Sequence, residues 1–241
     1  MIEAKKSKGF QKMLAQYLTF QLKKQFYRVW IDDRRNNRDL SKGHLILANH
    51  SNWWDGLMIF YLNQYVVKED SYAMMSQKGI EDFSFFRKIG AFSVNPESPK
   101  DLIVSLRFAE KCLSEQKTVW IFPQGKEEHL EKRPLSFMKG PSYLLEKKPE
   151  VDVTFVTFYY TFHHNQRPEL YIQLRNVDSK LLFRQEHHTR IEQTNSIRML
   201  LEQQLDELRD NIINNNTMSF DLFVKGFRTS SEWLSFWKRR K

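Results

Sequence analysis

The chain holds a single cysteine, Cys112, among its 241 residues. One thiol cannot close an intrachain disulfide or build a cysteine metal cluster, and its place in a segment of helical periodicity reads as a buried structural thiol. No run of about 18 uncharged apolar residues occurs, so no helix is expected to span a bilayer. Residues 1–11 carry lysines without the apolar core of a signal peptide, and residence in the cytoplasm or on its membrane face is the expectation. Glycine and proline are sparse, at eight and seven, and no internal repeat or low-complexity domain interrupts the pattern. The G-x-S-x-G elbow of an α/β hydrolase is missing, and Ser51 lacks that setting.

Acidic residues are also in deficit. The 29 Asp and Glu face 38 Lys and Arg, a formal net charge of +9, which attracts an anion: nucleic acid, an anionic bilayer or a phosphorylated substrate. The basic residues are dispersed, and no helix-turn-helix, zinc-finger or aromatic RNA motif accompanies them, so no nucleic-acid partner is expected. A basic nucleic-acid-binding protein nevertheless stands as the non-enzymatic rival. Aromatic residues are abundant, with 19 Phe, nine Tyr and six Trp, and amphipathic rings favour the headgroup zone of a membrane. Together the charge and the rings point to an anionic membrane surface. The hydrophobic fraction of 41% and charged fraction of 28% suit a folded globular domain.

Residues 13–30 repeat apolar positions every three or four, predicting an amphipathic helix with Lys23, Lys24 and Arg28 on its polar side. Packing on the domain and lying in a membrane interface both suit such a helix. Short apolar runs at 43–48 and 118–122 read as buried strands, each entering a polar turn. Further strands are expected at 72–76, 92–94, 151–162 and 170–174, and helices from Asp55 through Tyr65 and at 82–89, 99–115, 139–145 and 189–213. Alternation of this kind predicts an α/β fold with a mixed, largely parallel central sheet flanked by helices, with amphipathic terminal helices. The expected organisation is an amphipathic N-terminal helical region over 1–39, an α/β core over 40–185, and C-terminal helices over 186–241 packing on the core or on membrane. The tail carries Phe220, Trp233 and Trp237 and closes on Lys238, Arg239, Arg240 and Lys241.

His50 and Asp55 stand five positions apart across a turn that opens a helix, where a carboxylate can hold one imidazole nitrogen while the other accepts a proton. In isolation the spacing suits a capping aspartate equally. The polar cluster follows a strand, the place where open α/β sheets put chemistry. No metal framework is expected: His163-His164 and His187-His188 lack accompanying carboxylates or cysteines.

The run Asn49-His50-Ser51-Asn52-Trp53-Trp54-Asp55 resembles the N-H-x-x-x-x-D block of the glycerolipid acyltransferase family, typified by bacterial 1-acylglycerol-3-phosphate acyltransferases. Phe122-Pro123-Gln124-Gly125-Lys126-Glu127 resembles its F-P-E-G-T-R block, with Gln124 for Glu, Lys126 for Thr and Glu127 for Arg. Gly90 keeps the glycine of a further block while Asn95 takes the arginine slot, and the 151–158 strand lacks the family's proline. The resemblance covers about residues 40–160. It implies His50 as general base, Asp55 as its orienting group, and direct transfer from acyl-CoA or acyl-carrier protein without an acyl-enzyme or any cofactor. It further implies acceptor contacts from Asn49, Gln124, Gly125 and Lys126, with Arg133 and Lys139 as substitute cations. Gln124 can hydrogen-bond a hydroxyl but supplies no negative charge. Because both phosphate-gripping arginines are absent from their slots, a glycolipid or another polar lipid is as fitting an acceptor as a lysophospholipid. A noncatalytic lipid-binding relative is the remaining alternative. The amphipathic N-terminal region and the aromatic, basic tail point to a peripheral protein on the cytoplasmic face of the cell membrane.

Overall fold

The computed structural model describes residues 1–35, 39–178, 182 and 189–238. His187, His188, Arg239, Arg240 and Lys241 lie outside the described residues. Among those described, the strands are β1 Arg28–Arg34, β2 His44–Ala48, β3 Ser71–Ser76, β4 Ala91–Val94, β5 Thr118–Ile121, β6 Asp152–Thr161, β7 Glu169–Val177 and β8 Asp221–Lys225. The α-helices are α1 Lys8–Gln25, α2 Asp55–Leu62, α3 Gln77–Asp82, α4 Pro99–Ser114, α5 Gly140–Lys147, α6 Arg190–Ile213 and α7 Ser230–Lys238. One sheet orders the strands β4-β3-β5-β2-β6-β7-β1-β8. Five of its seven pairings are parallel, and β6/β7 and β1/β8 are antiparallel. The fold is therefore the mixed, largely parallel α/β sheet that the alternation predicts.

The continuous apolar run of β2 has a physical cause: both its faces are covered. Leu45 and Leu47 join Val119, Ile121 and Phe155 against α4, α5 and α6. Ile46 and Ala48 join Trp120, Val156 and Phe158 against α1 and α2. Successive strand residues point to opposite faces, so a strand buried on both sides loses its polar alternation. The long helix α6 begins where sequence signals place it. Thr189 and Glu192 form a reciprocal capping box that satisfies its first amide groups.

Three segments differ from the sequence expectation. The helix expected over 13–30 starts earlier, at Lys8, capped by Ser7, and ends at Gln25, where Phe26 turns extended. Val29, Trp30 and Ile31 instead form β1, paired on both sides with β7 and β8. Apolar positions in that stretch satisfy a helical phase and a strand phase alike, and burial between two strands decides the outcome. The helix expected at 82–89 is α3 followed by a 3-10 turn over Ser84–Ile89. The tail contributes strand β8 before its helix α7.

Candidate active site

Strands β5, β2 and β6 are parallel neighbours at the centre of the sheet, and their carboxyl ends converge. The loop after β2 carries His50, the loop after β5 carries Gln124, and β6 runs past its pairing with Ala48 to bring up Tyr160. Open sheets of this kind bind ligands at the carboxyl ends of their strands.

Asp55 is fully buried at the first turn of α2. A carboxylate withdrawn from water needs its oxygens satisfied, and four donors do so. Asp55 Oδ2 accepts from His50 Nδ1 at 3.0 Å, Ser51 N at 2.7 Å and Asn52 N at 2.8 Å. Oδ1 accepts from the Tyr160 hydroxyl at 2.6 Å. Burial and the Asp55 charge push the Tyr160 phenol well above its ordinary range, so it stays protonated and remains a donor. Because Asp55 takes Nδ1–H, the lone pair of His50 is left on Nε2. The imidazole stacks on Phe122 with centroids 4.2 Å apart and planes 17° apart, and 19% of its surface stays open. Glu127 Oε1 lies 3.9 Å from Nε2.

The second loop fixes the backbone of the first. His50 N donates to Gln124 Oε1 at 2.6 Å, and His50 O accepts from Glu128 N at 3.0 Å. Gln124 Nε2 donates in turn to Glu128 Oε2 at 3.2 Å. Burial would raise the Glu128 carboxyl, but Lys132, the Ser136 amide and hydroxyl, and Gln124 hold it down at about 2. Gly125 turns this loop with φ +73, and a side chain there would crowd Met138 at 3.2 Å. Only glycine adopts that backbone without strain.

The expected acceptor contacts therefore separate. Gly125 and Lys126 are exposed on the loop after β5. Gln124 is 2% exposed and its amide joins His50 to Glu128, which makes it a strut between loops. Asn49 is 1% exposed; its Nδ2 donates to Phe158 O at 3.1 Å and its Oδ1 accepts from Phe158 N at 2.7 Å, clamping β6. Arg133 turns to the long helix, with Nε 2.9 Å and Nη2 2.6 Å from Asp206 Oδ1. Lys139 is exposed at the start of α5. Arg87 donates to Glu3 O at 2.9 Å, and Lys88 lies over the Phe10 ring at 5.0 Å. His163 and His164 follow β6 in a turn instead of lying in a strand.

A scan against family models matches the acyltransferase family over residues 25–161, more than half of the chain. The chain belongs to the acyltransferase family. The matched span contains both loops and Tyr160, and excludes all of α1 but its last residue and everything from β7 onward. No curated protein matches the chain significantly. Within this acyltransferase a second histidine–carboxylate pair, His44 and Glu69, sits at the start of β2. His44 Nδ1 meets Glu69 at 3.0 Å and Nε2 meets Thr154 Oγ1 at 2.8 Å, on a ring 1% exposed. Both its nitrogens are engaged in tying strand ends together, whereas His50 keeps an open nitrogen.

Tyr160 and Glu128 are the neighbours of the dyad that the motifs alone do not single out, and Glu127 enters them only as the residue in an arginine slot. Tyr160 had one usable signal, a polar-tipped ring near the carboxyl end of a strand. Glu128 lies just past the second block and carried no signal in the sequence.

Proposed function

We propose that this acyltransferase moves a fatty acyl group from an acyl-CoA or acyl-carrier-protein thioester to a hydroxyl of a polar lipid, a lysophospholipid, glycolipid or related molecule. The observation that carries this reading is the asymmetry of His50: Nδ1 fixed by a buried carboxylate, Nε2 open. The acceptor hydroxyl gives its proton to Nε2 as its oxygen attacks the thioester carbonyl. The C–S bond then breaks, and the leaving thiolate takes the proton back from His50. Asp55 stabilises the imidazolium between these steps and does not itself gain the proton. The amides of Ser51 and Asn52 are engaged by Asp55, and that of Gly125 by Phe122 O at 3.1 Å. Oxyanion stabilisation is therefore assigned to neither set of amides.

We also infer peripheral docking on the cytoplasmic face of an anionic membrane. No helix among the described residues is long and apolar enough to cross a bilayer. Met13, Tyr17 and Phe20 form an exposed apolar stripe on α1, bordered by exposed Lys12 and Lys24. Phe20 meets Phe227 with centroids 5.7 Å apart, joining that stripe to the tail that exposes Trp233, Leu234 and Trp237. Apolar rings with flanking cations suit insertion at a headgroup boundary. Incubating the protein with acyl-CoA or acyl-carrier protein and a mixed lipid extract, then identifying new acyl lipids by mass spectrometry, tests the transfer. Absence of any new acyl lipid with either donor would overturn it.

A further inference from the structure

The group facing the open nitrogen of His50 is an anion. Glu127 Oε1 stands 3.9 Å from Nε2, on a side chain 53% exposed, at the edge where an acceptor hydroxyl must approach. Three cations of this region are engaged elsewhere: Lys132 pairs with Glu128, Arg133 with Asp206, and Arg87 donates to the Glu3 carbonyl, while Lys126, next to Glu127, is exposed. Glu128 itself is buried and turned onto Lys132 and Ser136, which leaves Glu127 as the carboxylate directed at Nε2.

An ionised carboxylate only accepts hydrogen bonds. A hydroxyl at ordinary hydrogen-bond length, about 2.8 Å, from Nε2 leaves its neighbouring substituent within reach of Glu127. That substituent is favoured if it is a donor and repelled if it is an anion. We propose that Glu127 is a specificity-determining residue that selects acceptors bearing a hydrogen-bond donor, a second hydroxyl or an ammonium, beside the hydroxyl that becomes acylated, and that it rejects a phosphomonoester there. This rests on His50 acting as the base toward the acceptor. Glu127 and a phosphate about 5 Å apart in a half-solvated site repel enough to shift preference about tenfold, an effect that weakens as salt rises.

The test uses the full chain, one acyl-CoA and three acceptors in neutral mixed micelles: a 1-monoacylglycerol, a sphingoid base and a lysophosphatidate. The expected kcat/KM for one or both of the first two is at least about tenfold above that for lysophosphatidate at low salt. Which of the two leads tells whether a hydroxyl or an ammonium meets Glu127. Glu127→Gln narrows the gap, Glu127→Arg reverses it, and the KM for acyl-CoA stays unchanged in both. The gap also shrinks at high salt in the wild-type chain. A wild-type preference for lysophosphatidate would overturn the assignment of Glu127 while leaving acyl transfer by His50 intact. So would an undiminished gap between the acceptors in an active Glu127→Gln protein. No transfer to any acceptor by the folded wild-type chain would sink both.

Discussion

The phenol of Tyr160 donates to Asp55 Oδ1 at 2.6 Å, so the carboxylate behind His50 is gripped from a strand 105 residues further along the chain. This contact fixes the face that Asp55 turns to the imidazole. Replacing Tyr160 by Phe removes one of four donors and leaves the other three in place. A hydrogen bond to a buried charge contributes roughly 1.5–3 kcal/mol, so chemical denaturation should reveal a loss of that order. Turnover should fall about three- to thirtyfold with KM for the donor unchanged, since a loosened Asp55 misorients His50. Wild-type kcat in Tyr160→Phe would mean that Tyr160 serves packing only.

Gln124 is the residue that this loop requires. Its Nε2 donates to Glu128 Oε2 at 3.2 Å, so Gln124→Glu would set two carboxylates against each other in a buried site. The variant should lose about 1–3 kcal/mol at neutral pH, and Glu128→Gln should restore much of it in the double variant. Thermal melts of the two singles and the double provide the cycle. Additive losses would contradict the coupling.

Glu128 gives the fold a defined acid sensitivity. Its carboxyl is held at about 2 in the folded chain, below the roughly 4.3 of a free glutamate. A depressed value means that its contribution is fully present above about 4.3 and is lost as pH falls through that window toward 2. Denaturant midpoints across acid pH should fall less steeply for Glu128→Gln than for wild type. Parallel pH profiles would refute the role.

Cys112 reports on global opening. It is buried on α4, and burial pushes its thiol up to about 11. At mildly alkaline pH it should react with an alkylating reagent only through unfolding, so labelling should speed up with denaturant in step with loss of helix signal. Fast labelling of the folded chain would contradict its burial.

The sheet was largely legible in the sequence because most of its strands are short apolar runs bounded by turns, and β2 and β5 lead directly into the two loops. β1 was not legible, because Val29 and Trp30 continue the helical phase of α1 and only pairing with β7 and β8 makes them a strand. β8 was hidden among tail aromatics that suit a helix equally. At the site, the motif identified His50 and Asp55 but could not specify direction. Asn49, Gln124 and Arg133 carry groups that suit an acceptor, yet their partners are Phe158, the His50 amide and Asp206, contacts across 109, 74 and 73 positions. Such partners come from the tertiary fold and are invisible to spacing.

Asp55→Asn should disturb the fold as well as the chemistry. An amide cannot accept from His50, Ser51, Asn52 and Tyr160 without turning an N–H toward one of them. The variant should therefore lose stability as well as turnover, by roughly 3–5 kcal/mol if the buried pairing fails. A loss of rate in that protein is ambiguous unless its fold is checked by circular dichroism and a melt.

His50→Ala is free of that ambiguity. It removes a partly open ring and leaves Asp55 with its bonds from Ser51, Asn52 and Tyr160. The decisive measurement is acyl transfer from a thioester to lipid by purified His50→Ala, alongside its melt and its binding of acyl-CoA. If His50 is the base, transfer falls about 10²- to 10⁴-fold while donor binding stays near wild type and the melt shows a loss no larger than that of Tyr160→Phe. Undiminished transfer by a folded His50→Ala protein would contradict it.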